Sequence, residues 1–98
     1  MFVALWEFKV KSGFEEDFER TYGSNGEWAQ LFANDPAYRG TRLAKDLERE
    51  GWYFTVDTWD SRTAYDVFRS VNEAAYRKLD ERCGELTSEE SKLGAFEL

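Results

Sequence analysis

The sequence has twenty aspartates and glutamates but little nucleophilic or imidazole chemistry, and the paired carboxylates have a local explanation. Cys83 is the single thiol and there is no histidine. A Cys–His nucleophile therefore cannot be assembled, the usual imidazole ligands of zinc, iron and haem are missing, and no intrachain disulfide can form. No metal site is expected, and Cys83, near a helix end, reads as packing. Glu15-Glu16 and Glu89-Glu90, and Glu48 with Glu50, fall on helix first turns or in a loop, where negative charge favours the helix dipole or stays solvated. Asn25, Asn34 and Asn72 could orient a substrate oxygen, yet a turn or cap accounts for each. The two glycines of "YGSNGEW" lack the preceding strand and following Lys-Ser/Thr of a phosphate-binding loop, so the segment reads as a break between helices.

Asp57 stands apart, because it lies inside "WYFTVDTW", residues 52 to 59, a stretch with strand character and large rings on both faces. Trp52, Phe54, Val56 and Thr58 share one face, and Tyr53, Thr55, Asp57 and Trp59 share the other. With Phe54 and Val56 turned towards the core, Tyr53, Asp57 and Trp59 project on the opposite side. A hairpin loop centred between Arg49 and Glu50 puts Arg42 across from Asp57, which reads as half of an ion pair on the dimer-facing side, with Arg42 of its own chain or an arginine of a second copy. The alternative is a general base, which requires Asp57 to point to the Trp6 side; a one-residue slip of register would bring that about.

Around this strand the pattern is regular. "FVALWEFKV", residues 2 to 10, is a first strand with Ala4, Trp6, Phe8 and Val10 on its apolar face. Ser12 with Glu15 has capping-box spacing before a helix carrying Phe14, Phe18 and Tyr22. Gly23 ends that helix, and Ser24 with Glu27 begins a second one that buries Trp28, Leu31 and Phe32. Asp35-Pro36 stops it. A second strand over 38–46 forms an antiparallel hairpin with residues 52–59. Ser61 caps a helix with Tyr65 and Phe68, which continues past a kink at Val71-Asn72 to Tyr76, Leu79 and Cys83. Thr87 with Glu90 gives a third capping box for a short turn, and Gly94 to Leu98 a last strand.

That order predicts an α+β, ferredoxin-like βαββαβ split fold with an antiparallel sheet and helices on one face, occupying residues 1–98 as a single domain. The face carrying Tyr53 and Trp59 would then lie in water in a monomer. A homodimer packed sheet to sheet through a two-fold axis covers it, with Tyr53, Asp57, Trp59 and Arg42 at the interface. The net charge of −7 argues against nucleic acid and anionic lipid as partners. No apolar run approaches the ~20 residues of a membrane span and no signal core opens the chain, so the expected location is the cytoplasm.

Four stretches, "FVALWEFKVKSG", "FERTYG", "AYRGTRL" and "VDTWDSRTAYDVF", make the chain resemble the antibiotic biosynthesis monooxygenase (ABM) domain family of the dimeric α+β barrel superfamily. The resemblance implies one of several chemistries. Haem-degrading members use an asparagine on the first strand, a tryptophan on the helix after the third strand and a ligating histidine further on. The positions here carry Trp6, Phe68 and Tyr76, which disfavours haem. Cofactor-free members hold a flat phenolic or anthrone-like substrate in an aromatic pocket between sheet and helices. The residues matching that pocket are Trp6, Phe8 and Phe54 from the strands, with Tyr22, Trp28, Tyr65, Phe68 and Tyr76 from the helices. The function so implied is cofactor-independent monooxygenation of a polycyclic or quinone-like aromatic, with no cofactor. The alternative is a non-catalytic dimer that binds a small hydrophobic molecule or is purely structural, since rings at these spacings also build ordinary cores.

Overall fold

The computed structural model describes residues 1–98. Four strands, β1 (Phe2–Val10), β2 (Tyr38–Lys45), β3 (Trp52–Trp59) and β4 (Thr87–Glu97), form one sheet in the order β2-β3-β1-β4, every neighbouring pair antiparallel. Helical segments α1 (Glu15–Tyr22) and α2 (Glu27–Phe32) connect β1 to β2, and α3 (Arg62–Val71) and α4 (Glu73–Cys83) connect β3 to β4. This is the expected α+β, ferredoxin-like arrangement. None of the helices is long and apolar enough to cross a membrane.

Local signals explain most boundaries. The Gly23 N–H bonds to Glu19 O and ends α1, and the Ser61 hydroxyl accepts from Ala64 N at 3.1 Å and starts α3. At Asn72 the chain leaves α3, as the kink required, and α4 resumes at Glu73. Three capping boxes are not formed. The residue before α1 is Phe14, while the Glu15 carboxylate accepts from Gly13 N at 2.7 Å; α2 begins after Gly26 instead of at Ser24. Gly26 is needed there because any Cβ would lie 2.2 Å from Thr21 O, so α2 packs directly on the backbone of α1. The third box, Thr87 with Glu90, lies inside β4. Its polar sequence hides a strand that forms because β1 offers an unpaired edge: Lys9 faces Glu89, Phe8 faces Glu90, and a bulge shifts the register between Leu5 and Trp6.

The hairpin decides the orientation of Asp57. Its loop runs from Leu47 to Gly51 and is centred on Arg49, with Asp46 N bonded to Trp52 O at 2.9 Å. The Asp46 carboxylate accepts from Glu48 N and Arg49 N, and Gly51 closes the loop at φ +83°, a left-handed conformation that favours glycine. An odd loop moves the pairing by one residue relative to expectation. Thr41, not Arg42, faces Asp57, and Arg42 faces Val56.

The helices cover one face of the sheet. Phe18, Tyr22, Trp28, Phe32, Phe68 and Leu79 press on Phe2, Ala4, Phe8, Val10, Tyr53 and Trp59 to form the core. The rings meet at tilted and edge-on angles, with Phe18 and Tyr22 stacked at 4.2 Å. Tyr53 and Trp59 are therefore core residues, 1% and 0% exposed, and do not lie on an open face. Phe54 and Val56 occupy the open face instead, the reverse of the sequence expectation, because β3 pairs with β1 so that Tyr53 joins Phe8 and Trp59 joins Phe2. Trp59→Glu accordingly places a charge in the dry core, and we expect loss of cooperative folding by circular dichroism, not a folded monomer. Phe18→Ala should cost about 3–5 kcal/mol in urea denaturation; a value below 1 kcal/mol would show that the aromatic cluster is loosely packed.

Candidate functional site

The covered side of β1 and β3 leaves one small gap beneath the helices. Trp6 and Phe8 of β1, Thr41 of β2 and Thr55 and Asp57 of β3 form its floor; Tyr22, Trp28, Phe32 and Tyr76 form its walls, with exposed Glu90 of β4 at the margin. The cavity measures about 30 Å³, the room of roughly one water molecule. Five of the eight residues assigned to the aromatic pocket, Trp6, Phe8, Tyr22, Trp28 and Tyr76, do surround it. The other three do not. Tyr65 and Phe68 fill the adjoining core against Trp59, and Phe54 lies on the far side of the sheet. Phe32, Thr41, Thr55 and Glu90 were missed. Thr55 shares the alternation of Asp57, so correct assignment of one face would have found both.

Asp57 is the chemical centre of this space. It is 7% exposed, and its Oδ1 accepts from Thr41 Oγ1 at 2.6 Å. Thr41 Oγ1 lies 2.5 Å from the Tyr38 hydroxyl, so with Thr41 donating to Asp57, Tyr38 donates to Thr41. A hydrogen-bond chain thus runs from half-buried Tyr38 to the carboxylate. No arginine or lysine comes within 4.0 Å of Asp57, and Arg42 is exposed on the opposite face. The expected ion pair is absent. Burial without a cation pushes the Asp57 carboxyl up to about 6, with the Thr41 hydrogen bond opposing the rise. Such a group can take a proton near neutral pH and return it.

The walls are apolar with polar tips. Burial drives the Tyr22 and Tyr76 phenols far above their usual range, so both stay protonated as donors. The Trp28 indole N–H is buried and makes no hydrogen bond, although the Tyr22 hydroxyl and the Cys83 thiol are close. No group of three or more histidine, cysteine or carboxylate side chains is arranged to hold a metal ion.

A profile of the family described as "Antibiotic biosynthesis monooxygenase" matches residues 1–79. The chain belongs to this family. No curated protein matches the ABM chain significantly. Among solved structures, a mutant of SnoaB, a cofactor-independent oxygenase from Streptomyces nogalater, superposes with a TM-score of 0.73 at 19% identity, covering 99% of this chain and 91% of that one. A mutant of MhuD with two manganese protoporphyrin IX bound per active site gives 0.74 at 22%, covering 100% and 94%. An ABM-family protein from Deinococcus radiodurans gives 0.78 at 12%, covering 100% and 92%. At these identities the likeness is one of fold. A porphyrin does not fit the donor set here: the chain has no histidine, and the Tyr76 phenol is held protonated by burial.

Asp57 also makes stability depend on pH. An ordinary aspartate titrates near 4, so between about pH 4 and 6 the folded state binds more protons than the unfolded state. The penalty is absent below that window. It grows as pH rises through it and is complete above about pH 6, at roughly 2–3 kcal/mol. Asp57→Asn keeps an acceptor for Thr41 and removes the charge. We expect its urea midpoint to equal that of the wild type near pH 4 and exceed it at pH 7.5. Parallel pH curves for the two proteins would mean that Asp57 does not titrate in this range.

Proposed function

We propose that this ABM protein is a cofactor-independent monooxygenase of a polycyclic or quinone-like aromatic, with Asp57 as its general base. The observation that carries the reading is the Asp57 carboxyl itself, buried among rings, without a cation and poised near pH 6. A fold neighbour described as a cofactor-independent oxygenase supports it.

Asp57 takes the acidic proton of a phenol or anthrone, and the resulting anion passes one electron to O2. Radical and superoxide combine into a C–O bond, and the peroxide takes the proton back from Asp57. The base then removes the remaining hydrogen from the carbon that bears the peroxide as the O–O bond breaks. One oxygen stays as a ketone and the other leaves as hydroxide, which the protonated Asp57 converts to water. The substrate is the reductant; the protein supplies shape, the proton relay and exclusion of water. The Tyr38–Thr41 chain orients the carboxylate and stabilises its charged form. A ring system is larger than the present gap, so Trp6 and Tyr76, both half-buried at its edge, must swing to admit it. That same volume favours the second reading, a non-catalytic dimer with a structural or small-molecule-binding role.

The open sheet face supports association with a second copy. Val3, Leu5, Trp52, Phe54, Val56 and Phe96 share it, with Arg42 at its edge, and Phe96 is 50% exposed. Light scattering should give about twice 11.5 kDa, and Phe54→Glu should yield a folded monomer; a wild-type monomer at millimolar concentration overturns the dimer. For catalysis, we expect anthrone oxidation that requires oxygen and is indifferent to a chelator. Asp57→Asn should lower kcat by about 10²–10⁴ and abolish the limb of the pH profile near 6. Unchanged turnover in that variant removes the base, and no turnover of any aromatic in the wild type favours the non-catalytic reading.

A further inference from the structure

Arg69 is anomalous in an acidic protein. Every other arginine except Arg42, on the far face of the sheet, is ion-paired, and all those pairs are at the surface. Arg69 is half-buried on α3 and has no carboxylate within 4.0 Å. Its Nη1 donates to the Tyr65 hydroxyl at 3.0 Å, and its guanidinium carbon lies 3.7 Å from the centroid of the Tyr76 ring, which lines the cavity. The Nε–Nη2 edge has no partner in the protein. Asp80 is near enough to act on Arg69 through space but does not bond to it.

A second unpaired cation converges on the same place. Lys92 stands opposite Trp6 in the β1–β4 ladder, and its Nζ is 5.6 Å from the centroid of the Tyr65 ring, on which Arg69 also borders at 5.8 Å. Trp6 and Tyr76 are the two half-buried rings of the cavity lining, so each cation adjoins one of them, Arg69 over Tyr76 and Lys92 across the ladder from Trp6. A partly desolvated guanidinium without a counter-ion weakens the fold unless an anion meets it. The free edge presents two parallel N–H groups, the geometry that a carboxylate accepts in bidentate fashion. Rings line the cavity, and the two cations lie just outside them. Glu90, at the same margin, disfavours anions of high charge.

We propose that Arg69, with Lys92 beside it, is an anion-recognition site, and that the ligand is an aromatic bearing a carboxylate at the end remote from Asp57. The inference rests on reading the cavity as a substrate site and specifies the substrate class. It is tested by anaerobic binding, which needs no oxygenation. 6-Hydroxy-2-naphthoate and its methyl ester are titrated against wild type, Arg69→Gln and Arg69→Lys, following the tryptophan fluorescence. We expect the wild type to bind the acid about tenfold or more tighter than the ester. The ratio should shrink at high salt, fall to about one in Arg69→Gln and survive in part in Arg69→Lys. Equal binding of acid and ester by the wild type, no binding of either, or an unchanged ratio in Arg69→Gln overturns the proposal. The last is also the result of a merely structural Arg69, since loosening α3 against α4 weakens both ligands together. Selective binding of the acid without turnover of any aromatic overturns the oxygenase reading alone; turnover with equal binding of acid and ester overturns this one alone.

Discussion

The pairing of β1 with β3 is the constraint on which the rest of this molecule depends. Those two strands are the inner pair of the sheet, and their register sets Phe8 beside Tyr53, Ala4 beside Asp57 and Phe2 beside Trp59. Once the apolar side of β1 lies under the helices, the parity of β3 follows, and with it the burial of a carboxylate among rings. The edge strands add the polar contacts: β2 brings Thr41 to the carboxylate, and β4 brings Glu90 and Lys92 to the margin.

Burial of Asp57 is costly for a chain of this size. Ninety-eight residues bury little surface to spare, and the surface ion pairs, between side chains largely open to water, contribute little. A carboxyl that disfavours its own ionised form opposes the folded state at neutral pH, and an asparagine would satisfy Thr41 equally well. Local destabilisation of this type, kept within an otherwise consistent core, characterises functional sites. The orphaned Trp28 N–H and the unpaired Arg69 edge belong to the same class of feature: Asp57 and Trp28 line one cavity, and Arg69 stacks on Tyr76, a ring of its wall.

How much of the site was legible depended on whether neighbours along the chain or across space decided it. The helical stripes of Phe18, Tyr22, Trp28, Phe68 and Leu79 were readable because a helix repeats its own geometry, and one wet face identifies the dry one. Trp6 and Phe8 were readable because the other face of β1 carries Glu7 and Lys9. In β3 that contrast is missing, since both faces bear large rings, and alternation then states which residues share a side without stating which side is covered. The error spread from there, taking Tyr53, Asp57 and Trp59 to the surface and Phe54 to the core.

By itself, the sequence determined the order of elements, the hairpin, the breaks at Gly23, Asp35-Pro36 and Asn72, the absence of imidazole chemistry and the family, because each is written in local spacing or composition. Only the tertiary structure decided the register of β2 on β3, the strand character of residues 87–93 and the face to which Asp57 points. A loop of odd instead of even length shifts every partner by one, and a polar segment becomes a strand when an edge is offered to it. Those outcomes are set by what lies across the sheet and above it, which no stretch of chain carries within itself.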